Sequence, residues 1–255
     1  MLKKSIFTLL FCAVLALTVF GAKAQESATK ETELANLVLK ADTSLDLNES
    51  EPAKYCLSQA KEIIAQNPGI SINLQGHFNK VSGKLYMKSS FNQALEYFNI
   101  ALSQFAREPL EQARVNFFVG IAYYYANDPI TAKVYFSQAK EYFILNKDDA
   151  NLAQALNNLG VIAFKQANEE TAVGFCHQAL LINIELKNSL NASRNRFNLN
   201  YFSDSSSLNV EDDYKSINNE LEGGGGNSSG SGTTINTGGS GTVVVGGGTP
   251  GFTIN

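Results

Sequence analysis

Residues 160–179 read GVIAFKQANEETAVGFCHQA. A glycine is followed three places on by a small residue (Gly160, Ala163). After a short polar link come an alanine, a thiol four places later and a second alanine three beyond that (Ala172, Cys176, Ala179). Working outward, the second half of this pattern recurs as Ala53-Leu57-Ala60, Ala94-Phe98-Ala101 and Ala132-Phe136-Ala139, with first alanines 41, 38 and 40 residues apart. Gly83 with Tyr86 and Gly120 with Tyr123 supply the first half for two of these copies. Positions i, i+4 and i+7 fall on one face of an α-helix. Two helices approach closely only where small side chains sit at the crossing, so the glycines and alanines mark a contact line and the Phe or Leu fills the space beside it. Each helix pair then exposes an apolar face that a neighbouring pair buries. A repeat of about 40 residues built this way predicts an all-α solenoid.

The repeats are laid out by their turn signals. The first has helices over about Glu31–Leu47 and Pro52–Gln66, ended by Asn67-Pro68-Gly69. The second spans about Ser71–Arg107, the third Pro109–Asn146 and the fourth Asp149–Lys187. The first departs most from the pattern, with Ala41 and Ser44 where glycine and an aromatic are expected, as a terminal repeat with one solvated face can. Together these stretches, most clearly Gly120–Ala139 and Gly160–Ala179, resemble tetratricopeptide repeats over residues 30–190. The period is longer than that family's usual 34 or so, which longer helices would accommodate. The resemblance implies a right-handed α-solenoid of about four helix-turn-helix repeats, and it implies protein binding without catalysis, in a groove lined by the first helices.

On the family's register the groove positions are His77, Lys80, Lys84, Met87 and Lys88 in the second repeat. Arg114, Phe117, Tyr124 and Tyr125 follow in the third, and Gln154, Asn157, Phe164 and Lys165 in the fourth. Lys80, Lys84 and Lys88 stand at i, i+4 and i+8, a basic stripe whose mutual repulsion asks for a reason. An acidic peptide or a chain-terminal carboxylate would supply one, with the tyrosines and Phe117 giving apolar contact; a solvated lysine face is the plain alternative. The family's carboxylate clamp would accept Asn157, whereas Phe117 stands where it has Asn. The chain's own C-terminus is a further candidate occupant.

Two flanks differ from the repeats. Residues 1–24 have Lys3 and Lys4, an apolar run from Ile6 to Phe20 and Ala22-Lys23-Ala24, the pattern of a cleaved signal peptide with Gln25 as the new N-terminus. The protein is therefore expected in the periplasm or outside the cell, with no retained membrane span. The whole chain carries 20 Lys and Arg against 24 Asp and Glu, and losing three lysines with the leader takes the net charge from −4 to −7, which disfavours nucleic acid as a partner. At the other end, residues 191–222 read as a closing helical pair: Phe197, Tyr201 and Phe202 mark one helix among asparagines, and Val210, Tyr214, Ile217 and Leu221 mark the next. Residues 223–255 hold 13 glycines in 33 positions and no charge, a composition expected to be disordered. Its β-prone islands, such as Thr242–Val245, could pair with another chain.

Catalytic signals are missing from the sequence. His77 and His177 are the two histidines, no His, Cys and carboxylate set has metal-ligand spacing, and Cys176 and His177, being adjacent, project to different sides of a helix. Cys56 and Cys176 lie in different repeats and read as free thiols. The expectation is a non-enzymatic scaffold of the cell envelope, with no cofactor and no metal. The alternatives are a peptide-sensing regulatory component and a self-assembling envelope protein that uses its tail.

Overall fold

The computed structural model describes residues 25–205. Among them it has nine α-helices and no strand: α1 (25–46), α2 (Ser50–Gln66), α3 (Ile72–Tyr86), α4 (Phe91–Gln104), α5 (Pro109–Tyr125), α6 (Pro129–Asn146), α7 (Asp149–Lys165), α8 (Glu169–Glu185) and α9 (Ser189–Ser205). The predicted leader, the second closing helix and the glycine-rich tail lie outside the described residues. The chain divides after Asp128 into two compact units, the first containing α1–α5 and the second α6–α9.

In the first unit, Leu34, Val38 and Ala41 of α1 meet Ala53, Leu57, Ala60 and Ile63 of α2 and Phe78 and Val81 of α3 in one buried cluster. The helix pair α3–α4 shows why the repeat needs glycine. A Cβ on Gly83 would stand 2.3 Å from the Phe98 ring, and one on Gly76 would stand 2.7 Å from the Phe105 ring. Both phenylalanines are completely buried, so the rings occupy the room that the missing side chains leave. In the second unit the pair α7–α8 repeats the arrangement with different chemistry. A Cβ on Gly160 would meet Cys176 Sγ at 2.6 Å and the Ala172 carbonyl oxygen at 3.0 Å. All twelve residues of the four alanine-centred motifs are buried. The packed pairs are consistent with a helical repeat.

Five of the eight connections among the described helices share a device that hydrophobic periodicity does not disclose. Asn48, Asn127, Lys147, Ala167 and Lys187, each in the turn between two helices, have φ of 60°, 61°, 54°, 57° and 55°. A left-handed residue there lets the next backbone N–H reach back to a carbonyl five residues earlier: Glu49 to Ser44 at 2.8 Å, Asp148 to Phe143 at 2.9 Å, Asn168 to Ala163 at 3.0 Å and Asn188 to Asn183 at 2.9 Å. That following residue also starts the next helix. The side chains of Asp148, Asn168 and Asn188 accept from the backbone N–H groups of Asn151, Thr171 and Asn191.

α9 is firmer than its composition implies. Asparagine is a poor helix former in isolation, yet Asn195 and Asn198 are completely buried and bonded to α7. Tertiary hydrogen bonds override the local preference.

Candidate functional site

In the first unit α3, the turn that follows it and α5 carry the expected groove residues. Lys80 and Lys84 do lie along one side of α3, with Lys88 in the turn just past its end, but they are not a bare basic stripe. Lys80 Nζ donates to Glu111 Oε2 at 2.7 Å and lies 5.9 Å from the Phe105 ring centre. Lys84 is bonded between Asp42 and Asp46 of α1, with the Asp46 contact at 3.0 Å, and its Nζ stands 4.9 Å from the Phe118 ring centre. Lys88 is exposed; its Nζ is 3.4 Å from Asn48 Oδ1 and 5.7 Å from the Tyr125 ring centre. The repulsion noted in the sequence thus has an internal answer: acids one helix to either side. The side chains of Lys80 and Lys84 keep only 11% and 8% of their exposure.

Glu111 of α5 is the hub. It also pairs with Arg114, one turn along the same helix. Burial works against its charge, but the bonds from Lys80 and Arg114 outweigh it and hold the carboxyl below the usual glutamate range. His77 Nδ1 lies 3.8 Å from the same carboxylate. That is not an ion pair at neutral pH, because burial and the neighbouring Lys80 push the imidazole below its ordinary value. Its ring packs edge-on against Phe105 at 5.0 Å.

Of the remaining expected residues in this unit, Phe117 is 1% exposed and sits edge-on to Phe118, so it is a core residue and not a groove contact as the structure stands. Tyr124 is buried and its hydroxyl is pushed up by that burial; Tyr125 is pushed up for the same reason. In the second unit, Asn157 is completely buried. Its Oδ1 accepts from Asn195 Nδ2 at 2.8 Å and Asn198 Nδ2 at 2.9 Å, because α9 packs over the face of α7 that the family register assigns to ligand. Phe164 stacks on Phe202 at 4.4 Å and meets Tyr201 edge-on at 5.4 Å. Lys165 is exposed, with its ammonium pushed down by partial burial.

What the first-helix surface does offer is a cleft. An open cavity of about 220 Å³ lies between α1 and α3, lined by Ala35, Val38, Leu39 and Asp42 on one side and Leu74, His77, Lys80 and Val81 on the other. Sequence reasoning found His77 and Lys80 but none of the α1 wall. The signal was present: Ala35, Leu39 and Asp42, with Asp46 beyond, follow helical spacing on one face of α1. Among the described residues no group of His, Cys, Asp or Glu could hold a metal ion, and no helix is long and apolar enough to cross a membrane.

No protein-family profile matches the chain, and no curated protein is similar to it in sequence. Solved structures do match, among them BtubC (BKLC) from P. vanneervenii, with a TM-score of 0.52 and 18% identity over 84% of this chain and 95% of that one. The likeness is one of fold.

Proposed function

We propose that this chain is a non-enzymatic, protein-binding scaffold of tetratricopeptide type, exported to the cell envelope or beyond it, that holds a peptide or an extended protein segment on its first-helix face. The observation that carries the reading is the α1–α3 cleft: aliphatic walls from Val38, Leu39, Leu74 and Val81, with His77, Lys80 and Asp42 at the same site. A concave apolar site with a few polar groups is how a small side-chain anchor is recognised. Leu39 at 65% exposed and Ile72 at 63% leave further apolar surface on the two helices that form it. The right-handed winding of about four helix pairs belongs to this proposal, on the strength of the repeat spacing. So does export, on the strength of residues 1–24. The non-catalytic reading is supported by Cys176, whose thiol is buried and pushed up by that burial, so it supplies no thiolate nucleophile.

The test is affinity capture from an envelope extract of the source organism, with the chain as bait and an Ala35→Trp variant as its match. Ala35 is exposed on α1, so tryptophan fills the cleft without entering the core. A partner held by the first bait and lost by the second is the expected outcome. Identical captures by both baits would remove the cleft from consideration.

A further inference from the structure

The shape of the cleft leaves the chemistry of its occupant open, and the charge around it decides that question. With the cleft taken as the binding site, as proposed above, we infer that it accepts a cationic segment, one that places an aliphatic side chain between α1 and α3 and a lysine or arginine beside it.

The exposed charge at this surface is carboxylate. Along one face of α1, Glu31, the aliphatic wall, Asp42 and Asp46 follow in order at helical spacing, so acids stand at both ends of the apolar stretch. The Asp46 side chain is 69% exposed and that of Asp42 35%. Facing them, Lys84 is 8% exposed and Lys80 is 11%, each already bonded to carboxylate and set near an aromatic ring. Asp42 and Asp46 share the single ammonium of Lys84, while Glu111 takes both Lys80 and Arg114.

The balance across the groove has the same sign. Lys80, Lys84 and Arg114 confront Asp42, Asp46 and Glu111 in ion pairs. Glu31 and Glu108 add two carboxylates whose contacts here are uncharged, the Ser71 backbone N–H and the Asn73 amide. His77 is neutral at pH 7 and adds nothing. Lys88, the exposed lysine just past the end of α3 and beside Tyr125, offsets one of these carboxylates, so the five carboxylates exceed the four cations by one. An acidic ligand would have to break bonds that Lys80 and Lys84 already make. A cationic one meets the carboxylate of Asp46, which still faces water, with the partly exposed Asp42 one turn before it.

The experiment is selection of random dodecamer peptides, displayed on phage, against the full chain at low salt, followed by binding of the enriched peptides to variants. The expected result is peptides with lysine or arginine flanking a leucine, isoleucine or valine, which lose binding to Ala35→Trp and weaken about tenfold on Asp46→Lys and in high salt. Asp46→Lys leaves Asp42 in place to hold Lys84, and unchanged thermal melting checks that the fold persists. If Ala35→Trp melts early, Leu39→Gln at the exposed wall replaces it. Acidic or uncharged peptides that depend on the cleft would overturn the cationic inference and leave the cleft reading standing. Cationic peptides indifferent to Asp46→Lys would overturn it too. Peptides that bind the blocked variants as well as the parent, or no peptides at all, would overturn both.

Discussion

Gly83 and Gly174 are the same residue under opposite constraints. Gly83 has the Phe98 ring where its Cβ would be, whereas a Cβ on Gly174 meets nothing within 4 Å. Gly83→Ala should therefore destabilise the protein by about 1–3 kcal/mol, through displacement of a buried ring. Gly174→Ala should stabilise it by up to about 1 kcal/mol, since alanine is the better helix former; paired thermal melts check both signs. Ala167 is a third case. It holds φ 57° in the α7–α8 turn, a conformation that costs a residue with a Cβ about 1 kcal/mol, so Ala167→Gly should raise the melting temperature. Gly83 and Gly160 were legible in the sequence because of their spacing from the alanine motifs, whereas Gly76, just as close to a ring, stands outside that spacing and was missed. Ala167 was not, because nothing in hydrophobic periodicity marks a left-handed turn when the residue there is not glycine.

At the scale of elements, α3 illustrates what a one-helix reading misses. Its lysines were visible as a stripe, but Asp42 and Asp46 lie about 40 residues earlier and Glu111 about 30 later, and their proximity exists only once helices stack. The same limit applied to α9. Its asparagines read as weak helix formers, but Asn195 and Asn198 bond Asn157, and Asn195 also accepts from Asn183 at 2.7 Å. Asn195→Leu should cost about 1–3 kcal/mol by leaving buried amides without partners, measurable as a shift in the denaturant midpoint with little change in slope. The α3–α5 contact also sets a pH dependence. His77 and Glu111 are both held below their ordinary values of 6.5 and 4.5. In each case the unfolded chain takes up a proton before the folded one does. Stability is thus fully present above about 6.5 and falls in two steps, first below that value from His77 and then through the carboxylate range from Glu111. Melts from pH 7 to pH 4 should show both steps, and His77→Gln should flatten the upper one alone.

For the molecule as a whole, composition and periodicity were enough to give the helical class, a second helix over Pro52–Gln66 where α2 runs Ser50–Gln66, and repeat spans that enclose α3–α8 without dividing them into helices, because the alanine motifs are set by packing and packing is local to each pair. The candidate site was less legible. Of the expected residues, Phe117 and Asn157 turned inward, and the wall that α1 contributes went unnoticed, since position on a register says nothing about which neighbour covers it. Export remains an expectation at this scale: N-terminal sequencing of the protein recovered from its native compartment should begin at Gln25. The two thiols of the described chain are both free, and they fall one in each compact unit. Cys176 is sealed beneath Gly160 while Cys56 is only partly covered. The molecule therefore carries a clock and its own reference. A pulse of alkylating reagent labels Cys176 only when α7 and α8 part, whereas the partly covered Cys56 can react without unfolding, so the ratio of the two labels follows the opening of the second unit without an added probe.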